Sequence, residues 1–210
     1  MITVFGGQTS RSLRVVWLME EMGLPYRVRQ VDMLDGVKDD LEFLAVNPAV
    51  YIPAIQDGDV TMVESIAIME YLMGRYGPTP LAPAPNDPAF PGYQQFLHLG
   101  EAGLATLIMV PLVSRFLAPE AERHNWGAEW ALECVERRLR LVARQLARAP
   151  YLAGEAFTAA DISVTYALEL GAKHCGIVLG DAEQAYVART TGRDAYKRAL
   201  ERSQPEAAQA

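Results

Sequence analysis

The stretch VYIPAIQDGDVTMVESIAIMEYL (Val50–Leu72) carries a lone proline inside an apolar run, a D-G turn, a second short apolar run and a Glu64-Ser65 pair opening a helix. The segments PAIQ and DVTM flank Asp57-Gly58, the two-residue type I′ hairpin signal, so the stretch predicts two antiparallel strands followed by a helix. Pro53 then heads a strand that must pair at once. A trans proline there is tolerable only as a mild oddity at an edge. A cis Ile52–Pro53 bond instead turns the chain sharply and leaves the Ile52 N–H and C=O aimed outward, an edge on which the backbone of a small peptide can dock. Glu64-Ser65 admits two readings as well. One is a helix cap whose charge suits the dipole. The other is a ligand site, in which free N–H groups and the Ser65 hydroxyl hold a carboxylate while Glu64 takes a neighbouring ammonium.

Working outward from this stretch, ITVFG reads as a buried strand and SLRVVWLMEEMGL as a helix stopped at Gly23 before Pro25. YRVRQVD alternates like a strand, and DDLEFLAVN is a short helix closed by Asn47 and Pro48. The order βαβ-α-ββα has one helical crossover and one hairpin, so it predicts a mixed sheet covered by helices. Residues 77–92 hold six prolines, at 78, 80, 83, 85, 88 and 91, which marks a linker. Beyond it strand signals vanish. The chain therefore divides into an α/β domain at 1–76, the linker at 77–92 and an all-α helical bundle at 93–210. In that second half, residues 93–117 form a long apolar helix with an expected kink at Pro111. Leu132, Leu139 and Leu146 interleave with Val135 and Val142 as a helix-packing stripe behind Asn125 as N-cap. Thr158 and Asp161 form an Asp variant of the capping box, with Phe157 and Ile162 as the hydrophobic staple. The final RSQPEAAQA reads as a frayed tail.

Bulk properties exclude several classes. A net charge of -7 argues against a nucleic-acid partner, because nothing offsets phosphate repulsion over a large face. No run is read as approaching the roughly 18 apolar residues of a membrane span, and the N-terminus lacks the order of a signal peptide. Cys134 and Cys175 have no C-x-x-C spacing and read as reduced thiols of a cytoplasmic protein. His98, His124 and His174 are widely separated, so no metal centre is expected.

The segment NPAVYIPAIQDGDVTMVESIAIMEYL resembles the glutathione-binding segment of cytosolic glutathione S-transferases. SRSLRVVWLMEEMGLPYRV is similar to the first helix and second strand of bacterial and plant members, the proline seam to their linker, and YLAGEAFTAADISV to the capping motif of their helical domain. The resemblance implies a thioredoxin-like first domain, an all-helical second domain, a homodimer, and glutathione as co-substrate with no metal. It implies a cis bond at Pro53, Ile52 pairing with the cysteinyl backbone, and Glu64 and Ser65 holding the γ-glutamyl end. Where the family often carries lysine or glutamine before its proline, this chain has Val50 and Tyr51; Lys38 or an arginine is left to substitute.

Such an enzyme must ionise a thiol whose ordinary pKa of about 8.5 leaves only ~3% thiolate at pH 7. The donor belongs between the first strand and first helix, within GGQTSRSLR, which holds no tyrosine or cysteine. Counting back from Arg14 leaves Ser10 preferred and Thr9 close behind, while Ser12 falls within the helix; Arg11 adds a positive charge near the sulfur. Either hydroxyl would also serve as a plain helix cap. Leu13, Met109, Leu112, Val113 and Phe116 form the candidate substrate side, though such apolar positions are more often core. The reading is a serine/threonine-type transferase conjugating glutathione to small apolar electrophiles. Its alternatives are a glutathione-dependent reductase or isomerase and a non-catalytic binding or assembly module on the same fold.

Overall fold

The computed structural model describes residues 1–7, 10–33 and 36–204. Ile2–Gly6 forms β1, buried along its whole length. That continuous apolar run is what an interior strand needs. β1 lies between β2 (Tyr26–Gln30), paired in parallel, and β3 (Ala54–Asp57), paired antiparallel. β4 (Val60–Val63) closes the sheet in the order β2-β1-β3-β4. The crossover helix α1 (Ser12–Met22) stops at Gly23, whose φ of 64° is the left-handed cap a glycine supplies. α2 (Leu41–Val46) starts at Asp40, whose carboxylate accepts the Phe43 N–H at 3.0 Å and is gripped on both oxygens by Arg29. α3 (Ser65–Tyr76) follows β4. This is the thioredoxin-like order expected from the sequence. The hairpin differs by one residue: Asp57 pairs with Val60, leaving Gly58-Asp59 as the loop. Gly58 takes φ 60° and Asp59 has no positive φ, the pattern of a type II′ rather than a type I′ turn.

Past the prolines every described element is helical. α4 (Phe90–His98) begins three residues inside the expected linker, because Pro91 sits in its first turn, where no N–H is required. A π-helical turn, Leu99–Ala105, then leads into α5 (Thr106–Leu117). The departure from α geometry thus lies before Pro111, the position at which a kink was expected. It coincides with Gly100, where any Cβ would lie 2.3 Å from Ser163 Oγ, and with Ser163 Oγ donating to Leu97 O at 2.8 Å. By length and composition, Phe90–Leu117 is apolar enough to span a membrane, with a mean hydropathy of 1.7, contrary to the expectation that no run approaches that length. Its buried Leu97, Leu104 and Ile108 belong to a helix packed along α7 (Ala159–Cys175), which accounts for the composition. α6 (Trp126–Leu146) is capped by Asn125, which accepts the Ala128 N–H at 3.0 Å. Its buried line runs through Ala128, Ala131, Val135 and Val142, and the three leucines of the expected stripe flank it half-buried.

α8 (Asp181–Thr191) ends this second unit, residues 80–191; the first comprises 1–79 and 192–210. Residues 192–204 therefore pack with the α/β part, whereas the sequence reading placed them in the helical half. α9 (Asp194–Arg202) lies on α1, with Tyr196 edge-on to Trp17 at 4.8 Å. Arg193 grips both oxygens of Glu21 at 2.6 and 2.7 Å, and Arg198 reaches Glu20 at 2.6 Å. Ser203 is buried, and Gln30 Nε2 donates to the carbonyls of Ser203 and Gln204 at 2.9 and 3.3 Å. The first three residues of the expected frayed tail are thus held in place; 205–210 lie outside the described residues.

Candidate functional site

Strand register gathers the predicted residues of the first unit at one end of the sheet. Phe5 pairs with Ala54, and Ala54 with Val63. The chain that leaves β1 towards Ser10, the Ile52–Pro53 segment that enters β3, and Glu64-Ser65 after β4 therefore share that end. A buried bond ties two of these turns together: Arg14 Nη1, on α1, donates to Ser65 Oγ at 3.2 Å. Arg14 is fully buried, an unusual place for a guanidinium.

Around β1's exit the hydroxyls form a tight cluster. Ser10 Oγ lies 2.8 Å from Gly7 O, Ser12 Oγ 2.7 Å from the same oxygen, and the two Oγ atoms 2.5 Å apart. Gly7 N–H donates to Ser12 Oγ at 2.9 Å, and Ser12 N–H to Ser10 Oγ at 3.3 Å. Ser12 is buried at the first position of α1, whereas Ser10 is half-exposed. Arg11 is half-exposed at the N-cap position, and Leu13 is buried in α1. Thr9, the other candidate hydroxyl, lies outside the described residues.

The peptide edge is built by Asn47. Its Nδ2 donates to Tyr51 O at 2.6 Å and its Oδ1 accepts the Ala49 N–H at 3.0 Å, which folds residues 47–51 into a closed turn. Within it Val50 takes φ 58°, a left-handed value foreign to a β-branched residue. The Ile52–Pro53 bond is cis. Among the described residues no hydrogen bond engages the Ile52 main chain, while its side chain packs against the Phe5, Phe43 and Ala54 cluster. Glu64, the N-cap residue of α3, has φ 70° and accepts the Tyr51 hydroxyl at 3.1 Å on Oε1. Burial and that bond to Glu64 push the Tyr51 phenol above its ordinary value. Tyr51 thus directs a neutral donor at the acidic Glu64. Lys38 stands exposed on the 3-10 turn Val37–Asp39.

In the second unit, Met109, Leu112, Val113 and Phe116 share one side of α5 at helical spacing. The first two are half-buried; Val113 and Phe116 are 41% and 62% exposed, so these two are not core. Among the described residues no three His, Cys, Asp or Glu side chains gather closely enough to hold a metal ion. Sequence reasoning passed over Ser12 and Arg14 as site residues. The S-x-S spacing was a visible signal for Ser12; nothing local pointed Arg14 at Ser65.

Known proteins share this fold. Residues 10–74 match the family model of the glutathione S-transferase N-terminal domain. Glutathione S-transferase 3 of Schizosaccharomyces pombe is 31% identical over 173 residues, covering 77% of this chain and 70% of the yeast protein. Among solved structures, the bacterial transferase BphK in a ternary complex superposes with a TM-score of 0.82 at 29% identity, over 96% of this chain and 98% of that one. The theta class enzyme of Xanthomonas axonopodis pv. citri, solved with glutathione bound, gives 0.80 at 28% identity over 95% and 96%. The chain belongs to the glutathione S-transferase family.

Proposed function

We propose that this protein is a glutathione transferase of the serine/threonine type, which binds glutathione at the sheet end and transfers its thiolate to a small apolar electrophile. The observation that carries the reading is the Ile52 main chain, without a hydrogen bond among the described residues, beside Glu64-Ser65 in a chain of this family. The cysteinyl backbone of glutathione pairs with Ile52. The γ-glutamyl ammonium meets Glu64, and its carboxylate meets the start of α3 at Ser65. Tyr51 orients the Glu64 carboxylate from the other side. Ser10 donates a hydrogen bond to the thiolate, with Thr9 as the alternative donor, and Arg11 adds favourable charge; the thiol proton leaves to solvent. The apolar stripe of α5 suits an apolar co-substrate. A cytoplasmic homodimer is part of this reading, as the family resemblance implies.

Retention on immobilised glutathione, followed by adduct formation with a generic aryl halide, tests it. Wild type is retained and turns over; Ser10→Ala is retained but loses about 10- to 100-fold in turnover, the worth of one hydrogen bond to a charged atom. Loss confined to Thr9→Ala moves the role to that hydroxyl. Retention without turnover, unchanged in the double variant, identifies a binder instead. Release of a reduced or isomerised product in place of an adduct identifies the reductase or isomerase.

A further inference from the structure

Resting on the reading of Ser10 as the thiol-activating hydroxyl, we propose that Ser12 is a positioning residue that keeps Gly7 O hydrogen-bonded, so that Ser10 is able to turn its proton towards the sulfur.

Proton counting carries the inference. Gly7 O, Ser10 Oγ and Ser12 Oγ form a triangle with edges of 2.8, 2.7 and 2.5 Å. The two hydroxyls bring two protons to three edges. Two oxygens 2.5 Å apart repel unless a proton lies between them, so at rest one serine donates to Gly7 O and the other to its neighbour. Only Ser10 has an open side; Ser12 is 1% exposed. Were Ser10 alone present, turning its proton outward would leave Gly7 O, among the described residues, with nothing but the long 3.3 Å bond from Ser10 N–H. With Ser12 in place the carbonyl keeps a 2.7 Å donor. The loop then has no cost of an unpaired carbonyl to set against the new bond, and Ser10 Oγ moves off the 2.5 Å edge, which no longer holds a proton.

Two further features fit this division of labour. Ser12 N–H donates to Ser10 Oγ at 3.3 Å, and an oxygen that accepts in this way donates more strongly. The seat of Ser12 is also built by β1: a Cβ at Gly6 would lie 2.2 Å from Ser12 Cβ. Ser10 keeps its proton throughout and only redirects it; the proton lost on ionisation is that of the thiol, released to water.

The test is a titration of the bound glutathione thiol, followed by thiolate ultraviolet absorbance, alongside kcat and KM against pH. In wild type the bound thiol titrates below its free value of about 8.5. Ser12→Ala raises the bound value by about half to one unit. At neutral pH kcat falls roughly three- to tenfold and recovers at higher pH, with KM unchanged. The Ser10→Ala, Ser12→Ala double variant is no worse than Ser10→Ala. A bound pKa that moves with Ser10→Ala but not with Ser12→Ala overturns the role of Ser12 alone, as does a kcat loss equal at every pH. A bound pKa that Ser10→Ala leaves in place overturns the Ser10 reading and the role of Ser12 with it. Wild type supplies an arm independent of whether the variant folds: in a crystal with glutathione, Ser12 Oγ stays on Gly7 O while Ser10 Oγ leaves it for the sulfur. A complex in which Ser12 Oγ leaves overturns the proposal.

Discussion

Two helix starts in this molecule use short polar side chains to opposite ends. At the head of α7, Asp161 is fully buried and accepts four hydrogen bonds: Leu152 N–H at 2.9 Å and the Tyr186 hydroxyl at 3.0 Å on Oδ1, Thr158 N–H at 2.8 Å and the Thr158 hydroxyl at 3.3 Å on Oδ2. Each carboxylate oxygen is fully used, so this start is closed to any ligand. At the head of α1, Ser10 and Ser12 crowd one carbonyl with two hydroxyls, and one of them is half-exposed. This start is over-supplied with donors and open on one side. The sheet end around it also holds the two non-glycine residues with positive φ among those described, Val50 at 58° and Glu64 at 70°. Saturated hydrogen bonding serves stability, whereas surplus donors and unrelaxed backbone mark the place where a ligand completes the structure.

The contrast breaks most readily at Asp161. Asp161→Ala strands two backbone N–H groups and two hydroxyls, and is expected to destabilise the protein by about 4 kcal/mol in urea unfolding, with little effect on glutathione affinity once folded. A loss below about 1 kcal/mol would mean the closed start is not structural.

A pH series sharpens the same point with a smaller effect. Burial raises the Asp161 carboxyl from 3.8 to about 6, against the pull of its bonds from Leu152, Thr158 and Tyr186. The folded state therefore binds this proton more tightly than the unfolded state between those values. Its contribution to stability falls as pH rises from about 4 to about 6 and is level above that. Measured as the difference between wild type and Asp161→Asn, which removes other carboxylates from the comparison, stability should decline over that window. A difference that rises there would reverse the assignment.

The smallest expected effect concerns the open end. Val50→Gly relieves a left-handed valine and should stabilise the protein by about 1 kcal/mol, the strain removed exceeding the extra freedom of glycine in the unfolded chain. Unchanged retention on glutathione would make the valine's conformation incidental. Weakened retention would make it part of how Tyr51 is presented to Glu64.

These regions also differ in how far they could be read beforehand. The α7 start was legible because its parts lie within a few residues of one another: Phe157, Thr158, Asp161 and Ile162 form the cap locally. Its fourth donor, Tyr186, was not, since it arrives from α8. The α1 start was half-legible. Ser10 stood out and Ser12 was set aside as a helix residue, because their convergence on Gly7 O depends on the chain doubling back between β1 and α1. The hairpin loop was placed one residue early because the D-G signal is local, while the pairing of Asp57 with Val60 is set by the register of Ala54 against Phe5 and Val63. The leucines of α6 drew attention by size, yet the face that is buried follows Val135, Val142 and the small Ala128 and Ala131, where a neighbouring helix approaches closely.

On its own the sequence determined the order of elements, the break at the prolines, the caps at Asn125 and Thr158, and the Glu64-Ser65 helix start. Each of these depends on residues a few positions apart, whose sterics and hydrogen bonds act before the chain closes on itself. Only the tertiary structure decided that Arg14 would be buried against Ser65, that α9 would return to α1 through Glu21 and Arg193, and that the three turns would meet at one sheet end. Those contacts join residues far apart in the chain. They form only when strand register and helix packing repay the entropy of closing long loops, which no local pattern records.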